Sequence, residues 1–292
     1  MADDTALVQD LLLQLDLETL EDRLFRGVSR NIGGRSVFGG QVAGQALVAA
    51  NRTVAEELKA HSLHGYFIRP GDMDAAIVYE VDKTRDGRSF ATRRVQAIQH
   101  GQPIFTMLAS FHVQEDGHVH QTPMPEVPAP ETLASNDVLR RQWIDEMDRV
   151  PESLRESVSR GIALDVRPVD PRNMLDPDRR APQQEMWFKT RTAIPDDPEM
   201  HRAILTYASD FGLLSTALLP HGISYFSSGM KMASLDHALW FHRDPRVDDW
   251  LLYSMDSPGA QNARGFSRGL IYDRDGNLVA SAAQEGLIRV RH

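Results

Sequence analysis

Two periods of apolar residues run along the chain. In VFGGQVAGQALVAANRTVAEEL, Val42, Leu47 and Val48 recur among small residues behind Gly39 and Gly40, which predicts a helix. SDFGLLSTALLPHG, Ser209 to Gly222, predicts a shorter apolar helix ended by Pro220 and Gly222. Elsewhere the alternation has a period of two, as strands require, with His-Gly and Asp-Gly pairs at plausible hairpin turns in IQHGQPIFTMLASF and YDRDGNLVASAAQEG. SLDHALWFHR, Ser234 to Arg243, has the bulk of a buried strand but is interrupted by Ser234, Asp236, His237 and His242. A buried strand must either hydrogen-bond such groups or use them.

These elements occur twice in the same order. Gln45 aligns with Thr216, His64 with His237, Tyr79 with Tyr253 and Arg93 with Arg268, at offsets growing from 171 to 175, as small loop insertions produce. Each half reads as a helix followed by antiparallel strands, so the chain reads as a duplication. Between the halves, Pro123, Pro125, Pro128 and Pro130 preclude continuous helix or central strand, and DVLRRQWIDEMDRVPESLRESVSRG predicts short surface helices. The expected organisation is an N-terminal unit over 1–114, a connector over 115–160 and a C-terminal unit over 161–292.

Composition narrows the chemistry. With 292 residues, 41% hydrophobic and 25% charged, the chain has the balance of a globular protein, and its net charge of -9 argues against a general nucleic-acid binder. The absence of cysteine removes disulfides and thiolate chemistry, and fits a reducing compartment. The acidic start MADDTALVQD is not a secretory signal, and the densest apolar run, LLLQL, is far short of a bilayer span. A cytoplasmic location without stable membrane association is expected. There is no serine-elbow, zincin, P-loop or dinucleotide fingerprint, and GGQVAG has the wrong glycine spacing for the last. His118 and His120 sit in the proline-rich segment without a nearby acidic partner and read as a solvated loop; no metal or cofactor is expected.

Where the repeat makes the halves equivalent, the second carries polar groups that the first lacks: Asp210 over Gly39, Ser234 over His61 or Ser62, and Gln284 over Ala109. Each has a bland reading, as a helix cap, a self-bonded hydroxyl or a satisfied core amide. Their one-sidedness favours a local task. His237, matched by His64, reads instead as structural.

RSVFGGQVAGQAL, HSLHGYFIRPGD, YEVDKTRDGRSFATRRVQAIQHGQPIFTMLASF, SDFGLLSTALLPHG, LDHALWFHR and ARGFSRGLIYDRDGNLVASAAQEG together resemble acyl-CoA thioesterase II, over nearly the whole chain. The resemblance implies an α+β double hotdog, two sheets each wrapped around a helix and forming one continuous sheet. It also implies hydrolysis of fatty acyl-CoA at an Asp, Ser or Thr, and Gln site, carried here by Asp210, Ser234 and Gln284. Serine stands where other members carry threonine; the hydroxyl remains and the rotamer-restricting methyl is lost.

A thioester needs little more than an aimed water, because its thiol leaving group has a pKa of about 8.5. Asp210 as base, with Ser234 and Gln284 holding the water, suffices, and N–H groups at the start of a Phe211–Leu219 helix are expected to polarise the carbonyl. For coenzyme A phosphates the candidates are Arg264 and Arg268, with Arg88, Arg93 and Arg94 in the other half; for the acyl chain, Phe38, Phe67, Met107, Phe211 and Leu213. An enoyl-thioester hydratase would want a histidine paired with Asp210 near the helix start, and a non-catalytic acyl-CoA sensor would not need the polar trio. Exposed sheet edges suggest a homodimer or higher homo-oligomer.

Overall fold

The computed structural model describes residues 3–34, 36–146 and 161–290. The first half supplies β1 (Glu18–Glu21), β2 (Leu24–Gly27), β3 (Leu58–Phe67), β4 (Ile77–Asp86), β5 (Phe90–Gln99) and β6 (Gln102–Val113). The second supplies β7 (Leu164–Pro168), β8 (Gln183–Thr190), β9 (Met230–Ser234), β10 (Asp236–Phe241), β11 (Leu251–Gln261), β12 (Arg264–Tyr272) and β13 (Leu278–Val290). All join one antiparallel sheet in the order β1-β2-β4-β5-β6-β3-β10-β13-β12-β11-β8-β7, with β9 also on β13. The halves meet where β3 pairs with β10, Gly65 opposite His237 and Leu63 opposite Leu239. This is the α+β double hotdog with a continuous sheet that the resemblance implies.

Five α-helices accompany the sheet among the described residues: α1 (Asp4–Leu15), α2 (Gly39–Asn51), α3 (Asn136–Asp145), α4 (Pro198–Ser209) and α5 (Leu213–Leu218). Helix α2 is buried from Gly40 to Ala50 because it lies between strands β3–β6 and α4, and α4 is buried from His201 to Ser209 with α2 and α1 packed against it. Helices α2 and α4 run antiparallel at very close range. A Cβ on Gly40 would run into the Tyr207 carbonyl, and one on Gly44 would lie 3.0 Å from the Ala203 carbonyl oxygen. The glycine spacing that fails as a dinucleotide fingerprint is thus the contact face for α4.

Helix α4 corrects the sequence reading. Its start is marked by Asp197, whose side chain accepts the Glu199 N–H, and by Pro198 at the first helical position, signals that a helix begun at Phe211 passes over. Asp210 is therefore the C-terminal cap of α4 rather than the start of a helix, and Gly212, at φ 91°, interrupts the chain before the short α5. The helical stretch Pro198–His221 has the length and hydropathy of a membrane span, unlike LLLQL, but 78% of its apolar window is buried inside the protein.

Strand period corrects the repeat in detail. Tyr79 and Tyr253 are both buried and both reach a central helix, Tyr79 donating to Gln45 Oε1 and Tyr253 to the Ser209 carbonyl. His64 and His237, however, point to opposite faces: His64 is exposed against Trp240, with ring centroids 4.8 Å apart, whereas His237 is buried. Arg93 and Arg268 differ likewise, one buried and one exposed. An offset wrong by one residue reverses the face. The strand expected over Ser234–Arg243 is broken at Leu235, where the N–H donates to the Glu285 carbonyl and the carbonyl accepts the Phe67 N–H.

The proline-rich segment forms no strand and only one helical turn, Pro130–Thr132, but it is bound rather than loose. Trp187 Nε1 donates to the Pro128 carbonyl at 3.0 Å, while Met124, Val127 and Leu133 cover a small core of Trp187, Trp250, Leu252 and Tyr272. Helix α3 is one of the expected connector helices. The rest of that segment, residues 147–160, lies outside the described residues.

Candidate active site

A carboxylate at the C-terminal end of its own helix faces the negative end of the helix dipole, so Asp210 needs compensation. It comes from the other half. The Gly40 N–H in the first turn of α2 donates to Asp210 Oδ2 at 2.8 Å, and α2 has no side-chain cap of its own, the preceding residue being Phe38. Asp210 thus caps α2. The approach depends on Gly39, where a Cβ would lie 2.8 Å from Asp210 Oδ2 and 2.8 Å from the Phe67 ring.

Gln284 reaches the same carboxylate from the inner face of β13. Its Nε2 donates to Asp210 Oδ1 at 2.5 Å and meets His237 Nδ1 at 3.3 Å. Its Oε1 is buried and has no hydrogen-bond partner among the described residues. His237 Nε2 lies 2.8 Å from Ser209 Oγ, which itself donates to the Thr206 carbonyl. Burial lowers the His237 pKa below the ordinary imidazole value, and the nearby Asp210 and Asp236 carboxylates oppose that shift.

Ser234 ends β9 opposite Gly286, two residues along β13 from Gln284 and on the same face. It is half-buried, and its hydroxyl makes no hydrogen bond to Asp210 or Gln284. The other polar residues of this segment have separate uses. Asp236 accepts the Glu285 N–H at 2.6 Å, and His242 shares a 2.8 Å hydrogen bond with Ser281.

Half-buried aromatic rings surround Gly39. Phe38 packs on Phe211 with ring centroids 4.5 Å apart and on Tyr207 at 5.2 Å, while Phe67 packs on Phe105 at 4.9 Å. Of the five apolar candidates, Phe67 borders Gly39 together with the Asp210 carboxylate, and Phe38 and Phe211, the chain neighbours of Gly39 and Asp210, pack on each other, whereas Met107 and Leu213 belong to the closed core. Tyr225, not singled out in the sequence, is 53% exposed as a residue but turns its hydroxyl toward the same site, where desolvation of that end and then the Asp210 charge push it above the ordinary phenol range.

The arginines are placed differently. Arg264 and Arg268 project from the outer face of β12, away from Gln284, and each is held by a carboxylate: Arg264 by Glu285 at 2.8 Å and Arg268 by Asp256 at 2.8 and 2.9 Å. Arg94 is 3.9 Å from Asp82, and Arg88 is exposed in the β4–β5 turn. Arg93 is 2% exposed and spends its donors on Thr53, Asp86 and the carbonyls of Thr53, Arg85 and Thr92, which fits a core arginine and not a phosphate ligand.

Known proteins share this architecture and its sequence. A family model described as acyl-CoA thioesterase matches residues 157–287, and one described as acyl-CoA thioesterase N-terminal domain matches residues 28–112. Human acyl-coenzyme A thioesterase 8 is 41% identical over 95% of this chain and 88% of its own. Acyl-CoA thioesterase 2 of Haemophilus influenzae is 39% identical over 97% and 98%. The crystal structure of the acyl-CoA thioesterase II TesB2 from Mycobacterium marinum superposes with a TM-score of 0.78 at 42% identity, covering 96% of this chain and 98% of that one. Identity at this level along nearly the entire length, with both halves matched by family models, means that the chain belongs to the acyl-CoA thioesterase family.

Proposed function

We propose that the protein hydrolyses fatty acyl-CoA to the free acid and coenzyme A by direct attack of a water that Asp210 deprotonates and Gln284 and Ser234 hold. The observation that carries this reading is the pairing of a carboxylate with a buried amide whose Oε1 is left over as an acceptor. A water hydrogen-bonded to that oxygen and to Asp210 would present its lone pair to the thioester carbon, with Ser234 closing from the same face of the sheet. The proton goes to Asp210 and the electron pair of the C–S bond leaves with the thiolate, which needs no strong acid. The positive end of α2, beside Asp210, is a better partner for the developing oxyanion than the expected Phe211–Leu219 helix, of which only the short α5 forms. Phe38 and Phe211 are the proposed acyl contacts.

His237 meets Asp210 only through Gln284, so the arrangement lacks the direct histidine–aspartate partnership a hydratase would use, and a sensor has no use for the paired carboxylate. We further propose a cytoplasmic homodimer. The edge strands are short and guarded, β1 by Glu18 and Glu21 and β7 by Pro168, so the outer sheet face bearing exposed Tyr66 and Leu108 is the better candidate contact. Light scattering on the purified protein tests it, and a monomer at micromolar concentration refutes it.

The chemistry is tested by thiol release from acyl-CoAs of short to long chain, followed by single turnover in heavy-oxygen water with mass spectrometry of acid and protein. Direct attack predicts one heavy oxygen in the acid and no acylated peptide at any time. Acyl trapped on Ser234 replaces the mechanism, and release from no acyl-CoA removes the activity.

A further inference from the structure

We propose that His237 is a positioning residue that fixes which way the Gln284 amide faces, an assignment that rests on the Asp210–Gln284 site proposed above. The chain of hydrogen bonds determines the tautomer. Ser209 has one hydroxyl proton and donates it to the Thr206 carbonyl at 2.9 Å, so toward His237 its oxygen is an acceptor. His237 therefore donates with Nε2–H, and in the neutral ring Nδ1 is left as a bare acceptor. That acceptor faces Gln284 Nε2 at 3.3 Å, whose other hydrogen goes to Asp210 Oδ1.

The amide thus lies between two acceptors, a carboxylate and an imidazole nitrogen, and both require its NH2 side. Turning it over would set Oε1 against two acceptors at once, at a pair of residues, His237 1% and Gln284 2% exposed, that bulk solvent does not reach. The consequence is that Oε1 points away from both, available to a hydrogen of the attacking water. Protonation of His237 on Nδ1 would reverse the preference and draw Oε1 toward the ring. The charged and titratable groups around the ring are Asp236 on its own strand, Asp210 at the end of α4 and Tyr253 on β11, whose hydroxyl donates to the Ser209 carbonyl. Burial keeps the ring neutral against the pull of the two carboxylates.

Four variants and one spectrum test the assignment. Gln284→Ala is measured first; unchanged turnover there overturns the site reading itself. If Gln284→Ala is impaired, His237→Phe, which has no acceptor, should lower kcat by about 10- to 100-fold with KM within about threefold. His237→Asn, whose Oδ1 can stand near the position of Nδ1, should recover most of that loss. In the Gln284→Ala background His237→Phe should have no further effect on kcat, because its partner is gone. A His237→Phe enzyme with normal kcat, or one whose loss is unchanged in the double variant, overturns the proposal while leaving the Gln284 role intact. If the Phe variant does not fold, nitrogen NMR of histidine-labelled wild-type protein decides: a buried Nε2–H tautomer that stays neutral as the exposed histidines protonate is expected, and an Nδ1–H tautomer is fatal.

Discussion

Asp210 and Gly40 are 170 residues apart, yet the Gly40 N–H donates to the Asp210 carboxylate at 2.8 Å, so the proposed base of one half is the helix cap of the other. Asp210→Asn keeps one acceptor for the Gly40 N–H but loses the base and turns an NH2 toward Gln284 Nε2, so turnover should fall by about 10²-fold or more and stability by about 1 kcal/mol or more. Asp210→Ala should lose turnover and also about 0.5–2 kcal/mol of stability. Equal activity of wild type and Asp210→Asn in the thiol-release assay would reduce Asp210 to a cap.

The two glycines at the start of α2 should respond differently. A methyl at Gly39 meets the Asp210 carboxylate and Phe67, so Gly39→Ala should displace the carboxylate and cost turnover, about tenfold or more, ahead of stability. A methyl at Gly40 meets the backbone of α4, which cannot swing aside, so Gly40→Ala should cost about 1–3 kcal/mol in a denaturant titration. The reverse ranking would mean that α2 and α4 adjust more freely than their glycine contact implies.

Acid should weaken the fold before it protonates ordinary carboxylates. Burial, the leading cause in each case, lowers the pKa of His61, His201 and His237. Because the unfolded chain takes up these protons first, stability falls as the pH drops through the ordinary imidazole value toward the lower folded values. Denaturation midpoints should decrease between about pH 7.5 and about pH 5.5. A flat profile over that window contradicts neutral burial of these rings.

Among the five candidate phosphate arginines, the buried Arg93 is expected to matter for stability and the outer ones for little. Arg93→Leu abandons Asp86 and the carbonyls of Thr53, Arg85 and Thr92, and should cost about 3 kcal/mol without changing kcat/KM once folded. Arg264→Met and Arg268→Met remove exposed ion pairs and should leave the KM for acyl-CoA within about twofold. A tenfold rise in KM for either would restore it as a phosphate ligand.

What the sequence conveys here follows from the range of each signal. Alternation within strands and the Tyr79 and Tyr253 pair are local patterns, so the helix-plus-sheet repeat is legible. Face is more fragile: one inserted residue sets His64 over His237 although they project to opposite sides, and His237 then reads as structural. Helix α4 does not stand out by apolar period, although Asp197 and Pro198 mark its start. Asp210, Gln284 and Ser234 stand out as polar groups without a counterpart in the first half, but the partners that orient them, Gly40 and Ser209, carry no side-chain signature. A backbone N–H and a helix-turn hydroxyl become parts of a site only when the chain has folded around them.

Helices α2 and α4 occupy the same place in their two halves, so Asp210, at the end of α4, answers to the end of α2 and not to Gly39, the residue it is aligned with by offset. Two antiparallel central helices form two junctions, each of one helix's last residue with the other's first turn. At one junction the Asp210 carboxylate fills the room that a side chain at Gly39 would need. At the other, α2 ends in Asn51 and α4 opens with Asp197 and Pro198, so the seat made by the glycines is not repeated. Tandem fusion is what permits this: once the copies are free to diverge, one junction can be shaped as the mould for a carboxylate while its twin is released from that task.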